Sequence, residues 1–129
     1  MFKCVMETRI SDINYGNHLD FTRLISLVQE ARLRFLGEFG LTDLNLDENH
    51  GMMVKDIAAE YNNEVRWGDQ LEFTINCERD GAKIVFLTEV KNIKNNQSVA
   101  SVIVKMVVVK RDTHRPTKPD LFFEKIRRP

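Results

Sequence analysis

The sequence predicts an α+β domain in which one long helix packs against an antiparallel sheet. Between Phe21 and Phe39, apolar residues recur with the 3.6-residue period of a helix. After Gly51 the pattern changes to the two-residue alternation of strands and keeps it. The order of one strand, one helix and then several strands, with no internal repeat, is typical of a single helix on a single sheet.

The first elements follow from local composition. A short strand is predicted over residues 2 to 10, where alternate residues are apolar. Residues 11 to 20 are rich in turn formers and predict a loop that ends at Asp20, the expected N-cap of the helix. The helix runs to about Phe39, where two glycines mark its end. Its apolar stripe is so broad that we expect it to be buried on most sides.

An acidic connector over residues 41 to 50 leads into the strands. The predicted strands are 52–61, 70–78, 83–92 and 99–110. Asp80-Gly81 predicts a tight hairpin and Asn95-Asn96 a second turn, so the last three strands form a meander. The apolar run Leu121-Phe122-Phe123 is expected to dock on the sheet or on a partner.

Composition narrows the class of protein. The 129 residues, 43% hydrophobic and 29% charged, suit one globular domain spanning 1–129. Zero net charge argues against a nonspecific nucleic-acid binder, although the basic segment 110–129 suits an anionic substrate. No apolar run approaches the ~18 residues of a membrane span. Cys4 and Cys77 lack metal or redox spacing, and we expect free thiols in a cytoplasmic protein.

The densest cluster of polar residues lies in the loop before the helix. A helix N-terminus offers unpaired N–H groups and a partial positive charge, which polarise a carbonyl. Gly16 allows the backbone to approach a ligand, and Asp12, Asn14 and His18 are able to orient a water molecule or exchange a proton. The loop therefore suits attack on an acyl carbonyl.

The same residues carry a family resemblance. Asp12-x-Asn14-x-x-Asn17-His18-Leu19, followed by Glu30-Ala31-Arg32, resembles the D-x-D-x-x-G-H-V-N-N and E-x-A-R signatures of the hotdog-fold acyl-CoA thioesterases, the 4-hydroxybenzoyl-CoA thioesterase-like group. Trp67-Gly68-Asp69 is similar to the Gly-Asp that precedes a strand in that family. The resemblance covers most of the chain. It implies a long central helix wrapped by a curved antiparallel sheet, and hydrolysis of an acyl-CoA or acyl-carrier-protein thioester.

Two of this chain's departures from the family pattern bear on the chemistry of the loop. The second acid of D-x-D aligns with Asn14, and an amide cannot act as a general base or a nucleophile. Asp12 is then the remaining acid of the pair. In an extended segment residues i and i+2 point the same way, so Asp12 is expected to act as base while Asn14 positions the water. The glycine before the family's histidine is Asn17 here.

The resemblance also implies roles for the remaining residues. Water is activated at Asp12 or His18, and backbone N–H groups near Gly16 to His18 hold the carbonyl oxygen. The expected substrate-binding residues are Tyr15, Gly16, Asn17 and Glu30. The family implies a homodimer or homotetramer with the acyl group between subunits, and no metal or tightly bound cofactor. Asp56, which interrupts an apolar strand, is a second-tier candidate.

Structural roles compete with these assignments. Asp12 and Asn14 equally suit a turn in which each bonds its own backbone, and His18 suits capping or packing at the helix start. Glu30 suits exposure to solvent or a pair with Arg23, Ser26 or Arg34. A noncatalytic hotdog module that binds acyl thioesters or serves as an assembly subunit is therefore the alternative, favoured by Asn14. A hotdog dehydratase is less favoured because no His-Phe-Pro-Gly-like run is present.

Overall fold

Six strands and two α-helices make up the part of the chain that the computed structural model describes, residues 1–14 and 16–127. In chain order they are β1 (Phe2–Glu7), α1 (Phe21–Gly37), β2 (His50–Tyr61), β3 (Gln70–Asp80), β4 (Lys83–Asn92), β5 (Gln97–Lys110), β6 (Pro116–Thr117) and α2 (Asp120–Lys125). All strand pairs are antiparallel, in the order β1-β3-β4-β5-β2 with β6 beside β5. The predicted fold class and the β3-β4-β5 meander are confirmed.

Helix α1 packs one side against the curved sheet. Leu24, Val28 and Leu36 are fully buried in the core, while Phe21 and Leu33 remain exposed. The expectation that the helix is buried on most sides is therefore wrong for the single chain, because one sheet covers one side of a helix. The predicted N-cap is confirmed, since Asp20 Oδ1 accepts the Thr22 N–H at 2.8 Å.

Two predicted boundaries shift for identifiable reasons. Strand β1 ends at Glu7 and not at residue 10, because Ile10–Asp12 forms a 3-10 turn. In the β3-β4 hairpin, Asp80 pairs with Lys83. The loop residues are therefore 81 and 82, one position later than predicted. Gly81 has a φ of 60°, and a glycine at the first loop position supplies the positive φ that such a turn requires.

The C-terminal apolar run docks on the core of its own chain. Phe122 is fully buried, and its ring centroid lies 5.8 Å from that of Phe86 on β4. Helix α2, which carries this run, is tied to β3 by an ion pair of 2.8 Å between Asp120 and Arg79. Of the two expected docking surfaces, the chain's own sheet is the one observed. None of the helices in the described residues has the length and apolar character needed to cross a bilayer.

Candidate active site

Asn14 organises the loop that precedes α1. Its side-chain Oδ1 accepts the N–H groups of Gly16 at 3.0 Å and His18 at 3.3 Å. Its backbone N–H donates to the carbonyl of His18 at 2.9 Å, and its own carbonyl accepts the Asn17 N–H at 3.0 Å. A substrate carbonyl would therefore have to compete with Asn14 for the backbone donors that were expected to hold it.

Asn17 takes a backbone conformation that glycine adopts freely. Its φ is 59°, in the left-handed region, where asparagine is the residue most often tolerated after glycine. The departure from the family's glycine at this position thus preserves the geometry of the loop. His18 follows directly after this left-handed residue.

Asp12 shapes the entrance to the loop. It ends the 3-10 turn and is buried, and its Oδ2 accepts the Arg9 N–H at 2.9 Å. Its carbonyl accepts the Asp20 N–H at 2.8 Å, which fixes the start of α1. Because residues 10 to 12 are turned and not extended, the premise that Asp12 and Asn14 project together from a strand does not hold.

Asp20 occupies the N-terminus of α1. Its carboxylate accepts the Thr22 hydroxyl at 2.6 Å and the Thr22 N–H at 2.8 Å, and these hydrogen bonds hold its pKa below the ordinary value. A negative charge already sits on the first turn of the helix. A developing oxyanion there would be opposed by that carboxylate.

His18 lines a cavity of about 250 Å³ at this end of the helix. The walls combine apolar and polar side chains, namely His18, Leu19, Tyr61, Asn62, Asn63, Glu64, Val65 and Val99. The imidazole Nε2 of His18 lies 3.1 Å from Oε2 of Glu64. An imidazole and a carboxylate therefore meet at the wall of a cavity that also offers apolar surface, the combination needed to hold an acyl group and activate water.

The end of β2 and the two residues after it are fixed to neighbouring elements. The Tyr61 hydroxyl donates to the carbonyl of Phe21 at 2.6 Å, and burial, with a smaller contribution from the Asp20 charge, raises the pKa of Tyr61 to about 12. The tyrosine thus stays protonated at neutral pH and links β2 to α1. The side-chain amides of Asn62 and Asn63 donate to Oγ and the carbonyl of Ser98 at 3.0 and 2.7 Å.

Asp69 anchors the C-terminal end of the segment between β2 and β3. Its carboxylate accepts the Arg66 N–H and the Asn92 amide, both at 3.0 Å, and pairs with the Lys94 ammonium at 3.1 Å. Burial alone would raise the pKa of Asp69, but these partners outweigh burial and lower it. The Gly-Asp pair recognised in the sequence thus serves to anchor the segment that carries Glu64.

Two predicted candidates lie elsewhere. Glu30 pairs with Arg34 at 2.5 Å, and it lies ten positions beyond Asp20, about 15 Å along the helix axis. Asp56 is exposed and pairs with Lys83 at 3.7 Å. Tyr15 falls outside the described residues. Of the predicted site residues, His18 lines the cavity, Asn14, Gly16 and Asn17 shape its loop, and Asp12 supports that loop.

Sequence reasoning missed Tyr61, Asn62, Asn63 and Glu64. The polar run after an apolar strand was a signal, because functional side chains concentrate in loops that a rigid scaffold positions. Nothing in the sequence placed this run beside His18, however. Their contact follows from the tertiary hydrogen bond between the Leu19 N–H and the Val65 carbonyl, 2.8 Å long.

A long helix on a curved antiparallel sheet, with a polar cavity beside the start of the helix, defines a protein of the hotdog class. The family model of the thioesterase-like superfamily matches residues 8–126. The chain therefore belongs to the thioesterase-like superfamily, and at family level it is a thioester hydrolase. No curated protein sequence matches it.

Solved structures share this fold. The 1,4-dihydroxy-2-naphthoyl-CoA thioesterase of Synechocystis superposes with a TM-score of 0.87 at 14% identity, over 97% of this chain and 94% of that one. The DHNA-CoA thioesterase of Staphylococcus aureus gives 0.81 at 15% identity, over 95% and 83%. The 12:0-ACP thioesterase of Umbellularia californica gives 0.84 at 17% identity, over 97% of this chain and 49% of that chain. At these identities the likeness shows the fold alone.

Proposed function

We propose that this chain forms one domain over 1–129 that hydrolyses an acyl-CoA or acyl-carrier-protein thioester with water activated beside His18. The observation that carries this proposal is the imidazole and carboxylate pair of His18 and Glu64 in the cavity next to α1. The names of similarly folded proteins support the substrate class, since they include a naphthoyl-CoA thioesterase, an acyl-ACP thioesterase and a protein solved in complex with CoA.

The reaction needs no group beyond side chains and water. His18 accepts a proton from water, and the water oxygen forms a bond to the thioester carbonyl carbon. The carbon–sulfur bond then breaks, and the imidazolium returns the proton to the leaving sulfur. Asn14, Gly16 and Asn17 hold the histidine loop, and Asp12 supports the turn before it.

The active unit we propose is a homodimer or homotetramer. Strand β2 forms one edge of the sheet, and it is longer than β1 at the opposite edge. Several apolar side chains on β2 are exposed, namely Met53, Val54, Ile57 and Tyr61. A long exposed apolar edge favours pairing with another strand, and a cavity of about 250 Å³ lies below the usual size of ligand pockets. A partner subunit would add the missing wall.

A twofold axis would pair β2 with its copy in the antiparallel sense. The Tyr61 end of one strand would then lie near the His50 end of the other, where His50 faces Lys110. Lys110 and Arg111 of the partner subunit would thus supply cations for the phosphates that CoA and the carrier-protein prosthetic group both carry.

We also infer a cytoplasmic location, because Cys4 and Cys77 are both free.

The test is a hydrolysis panel. Purified protein is assayed for thiol release from aliphatic and aromatic acyl-CoAs of graded length and from the matching acyl-carrier-protein thioesters. We expect turnover of at least one thioester, and a loss of about 10²-fold or more in kcat for His18→Ala. A wild-type protein that binds acyl-CoA and releases no thiol would instead establish the noncatalytic module, which Asn14 in place of the family's acid favours.

A further inference from the structure

Glu64 contributes a carboxylate to the cavity from a segment that carries no catalytic signature. We propose that Glu64 is a positioning residue, which holds His18 so that Nδ1 is the nitrogen that accepts the proton of the attacking water. This role rests on the proposed thioester hydrolysis. The contact behind it is the 3.1 Å distance between Glu64 Oε2 and His18 Nε2.

The chemistry of the pair assigns the two ring nitrogens. An ionised carboxylate only accepts hydrogen bonds, and a neutral imidazole has one N–H donor and one acceptor nitrogen. A carboxylate 3.1 Å from Nε2 therefore favours the tautomer with its hydrogen on Nε2, which leaves the lone pair on Nδ1. When Nδ1 takes a proton, the ring becomes an imidazolium, and the adjacent carboxylate stabilises it.

Nδ1 is open on its other side. No hydrogen-bond partner for it is found within residues 1–14 and 16–127. A Cβ built on Gly16 would lie 3.6 Å from Nδ1 and 3.5 Å from Asn14 Oδ1. The missing side chain at position 16 thus leaves open the space beside Nδ1 that a Cβ would enter, and we assign the attacking water to that space.

The backbone on both sides of Glu64 is held in place. Asn62 and Asn63 on one side are bonded to Ser98, and Val65 on the other side is buried and bonded through its carbonyl to Leu19, the residue after His18. The backbone positions of Glu64 and His18 are therefore coupled through one short hydrogen bond. The segments that carry the two side chains are thus joined next to the pair.

The proton path is complete with the groups present. A water O–H bond breaks and its proton goes to Nδ1, while the water oxygen forms the bond to the carbonyl carbon. The carbon–sulfur bond then breaks, and the same proton passes from Nδ1 to the leaving sulfur. Glu64 keeps its charge throughout and never carries the proton. The carboxylate of a Ser-His-Asp triad likewise stays ionised.

The matched variants are Glu64→Gln, which keeps the size and removes the charge, and Glu78→Gln, which removes an exposed charge on β3. The Glu64 side chain is 68% exposed, and exposed ion pairs add little stability, so both variants should fold and melt like the wild type. We expect Glu64→Gln to lower kcat by about 10- to 100-fold, part of what a positioned base contributes, with KM nearly unchanged. Glu78→Gln should leave both constants unchanged.

Three results would overturn this role. An unchanged kcat in Glu64→Gln would show that Glu64 has no positioning role, while the proposed hydrolysis would still stand. A loss in Glu64→Gln larger than that in His18→Ala makes Glu64 the base itself. The third readout needs no activity: with ¹⁵N-labelled imidazoles, the neutral His18 ring should carry its hydrogen on Nε2, and hydrogen on Nδ1 contradicts the assignment. A wild-type protein inert on every thioester defeats the proposed hydrolysis as well.

Discussion

At the scale of single residues, two asparagines replace groups that the family resemblance led us to expect, and each keeps the loop in shape. Asn14 binds the N–H groups of Gly16 and His18 through the oxygen that a carboxylate would also have offered. Asn17 adopts a φ of 59° in place of glycine. The sequence was sufficient to locate this loop. It was insufficient to show that Asn14 consumes the donors that a substrate was expected to use.

Gly16 gives a residue-scale prediction. Its φ lies outside the left-handed region, and an added Cβ would make ordinary van der Waals contacts at 3.5 and 3.6 Å, so Gly16→Ala should fold normally. The new methyl group would, however, occupy the space beside His18 Nδ1. We expect kcat to fall by about tenfold or more, a fraction of the effect of a positioned base, as measured by thiol release.

Gly37→Ala is the control for that measurement. Gly37 ends α1, and nothing lies within 4 Å of a Cβ built there. Its activity should equal that of the wild type. Full activity in Gly16→Ala would show that the approach of water does not pass beside Nδ1.

At the scale of elements, periodicity predicted the long helix and the meander, because alternation and the 3.6-residue repeat report burial directly. The bounds of β4, Lys83–Asn92, are the predicted ones. The two-residue β6 and six-residue α2 are too short for a period to show. The contact between His18 and Glu64 joins positions far apart in the chain, and only the packing of the sheet against the helix loop creates it.

The connector between α1 and β2 is held by a buried ion pair. Arg32, whose side chain is 2% exposed, donates from Nη2 to Asp43 at 2.8 Å and from Nε at 3.4 Å. Its Nη1 is buried with no partner among the described residues. Asp43→Ala would leave the whole guanidinium uncompensated, which costs about 3–5 kcal/mol of unfolding free energy.

Arg32→Met is the comparison in chemical denaturation. It removes the buried charge and leaves Asp43, which is partly accessible to water, so we expect a smaller loss of stability. Equal losses in the two variants would mean that the pair contributes by packing alone. A larger loss in Arg32→Met would contradict the view that the unpaired guanidinium is the costly group.

At the scale of the whole molecule, the exposed face of β2 supports the assembly that we propose. Nine of the twelve residues of β2, from Met53 to Tyr61, are exposed, and they lie on both faces of the sheet. The register on β5 places Val54 and Ile57 on the helix side, opposite the buried Met106 and Val104. Apolar side chains on the covered side of a sheet are not normally left in water. A second copy across this edge would bury them and close the cavity of His18 at once.

Ile57→Lys tests this assembly against Val5→Lys, which places the same charge on β1, the other edge of the sheet. Both side chains are nearly half exposed, at 43% and 47%, so neither change should unfold the chain. Burying an unpaired ammonium at the β2 interface costs about 3 kcal/mol or more, which weakens association by about 100-fold or more. We expect light scattering to show an oligomer for the wild type and Val5→Lys and a folded monomer for Ile57→Lys. The rate of hydrolysis should fall when the oligomer is lost, because the acyl group loses one wall of its site. A fully active Ile57→Lys monomer would show that each chain holds a complete site.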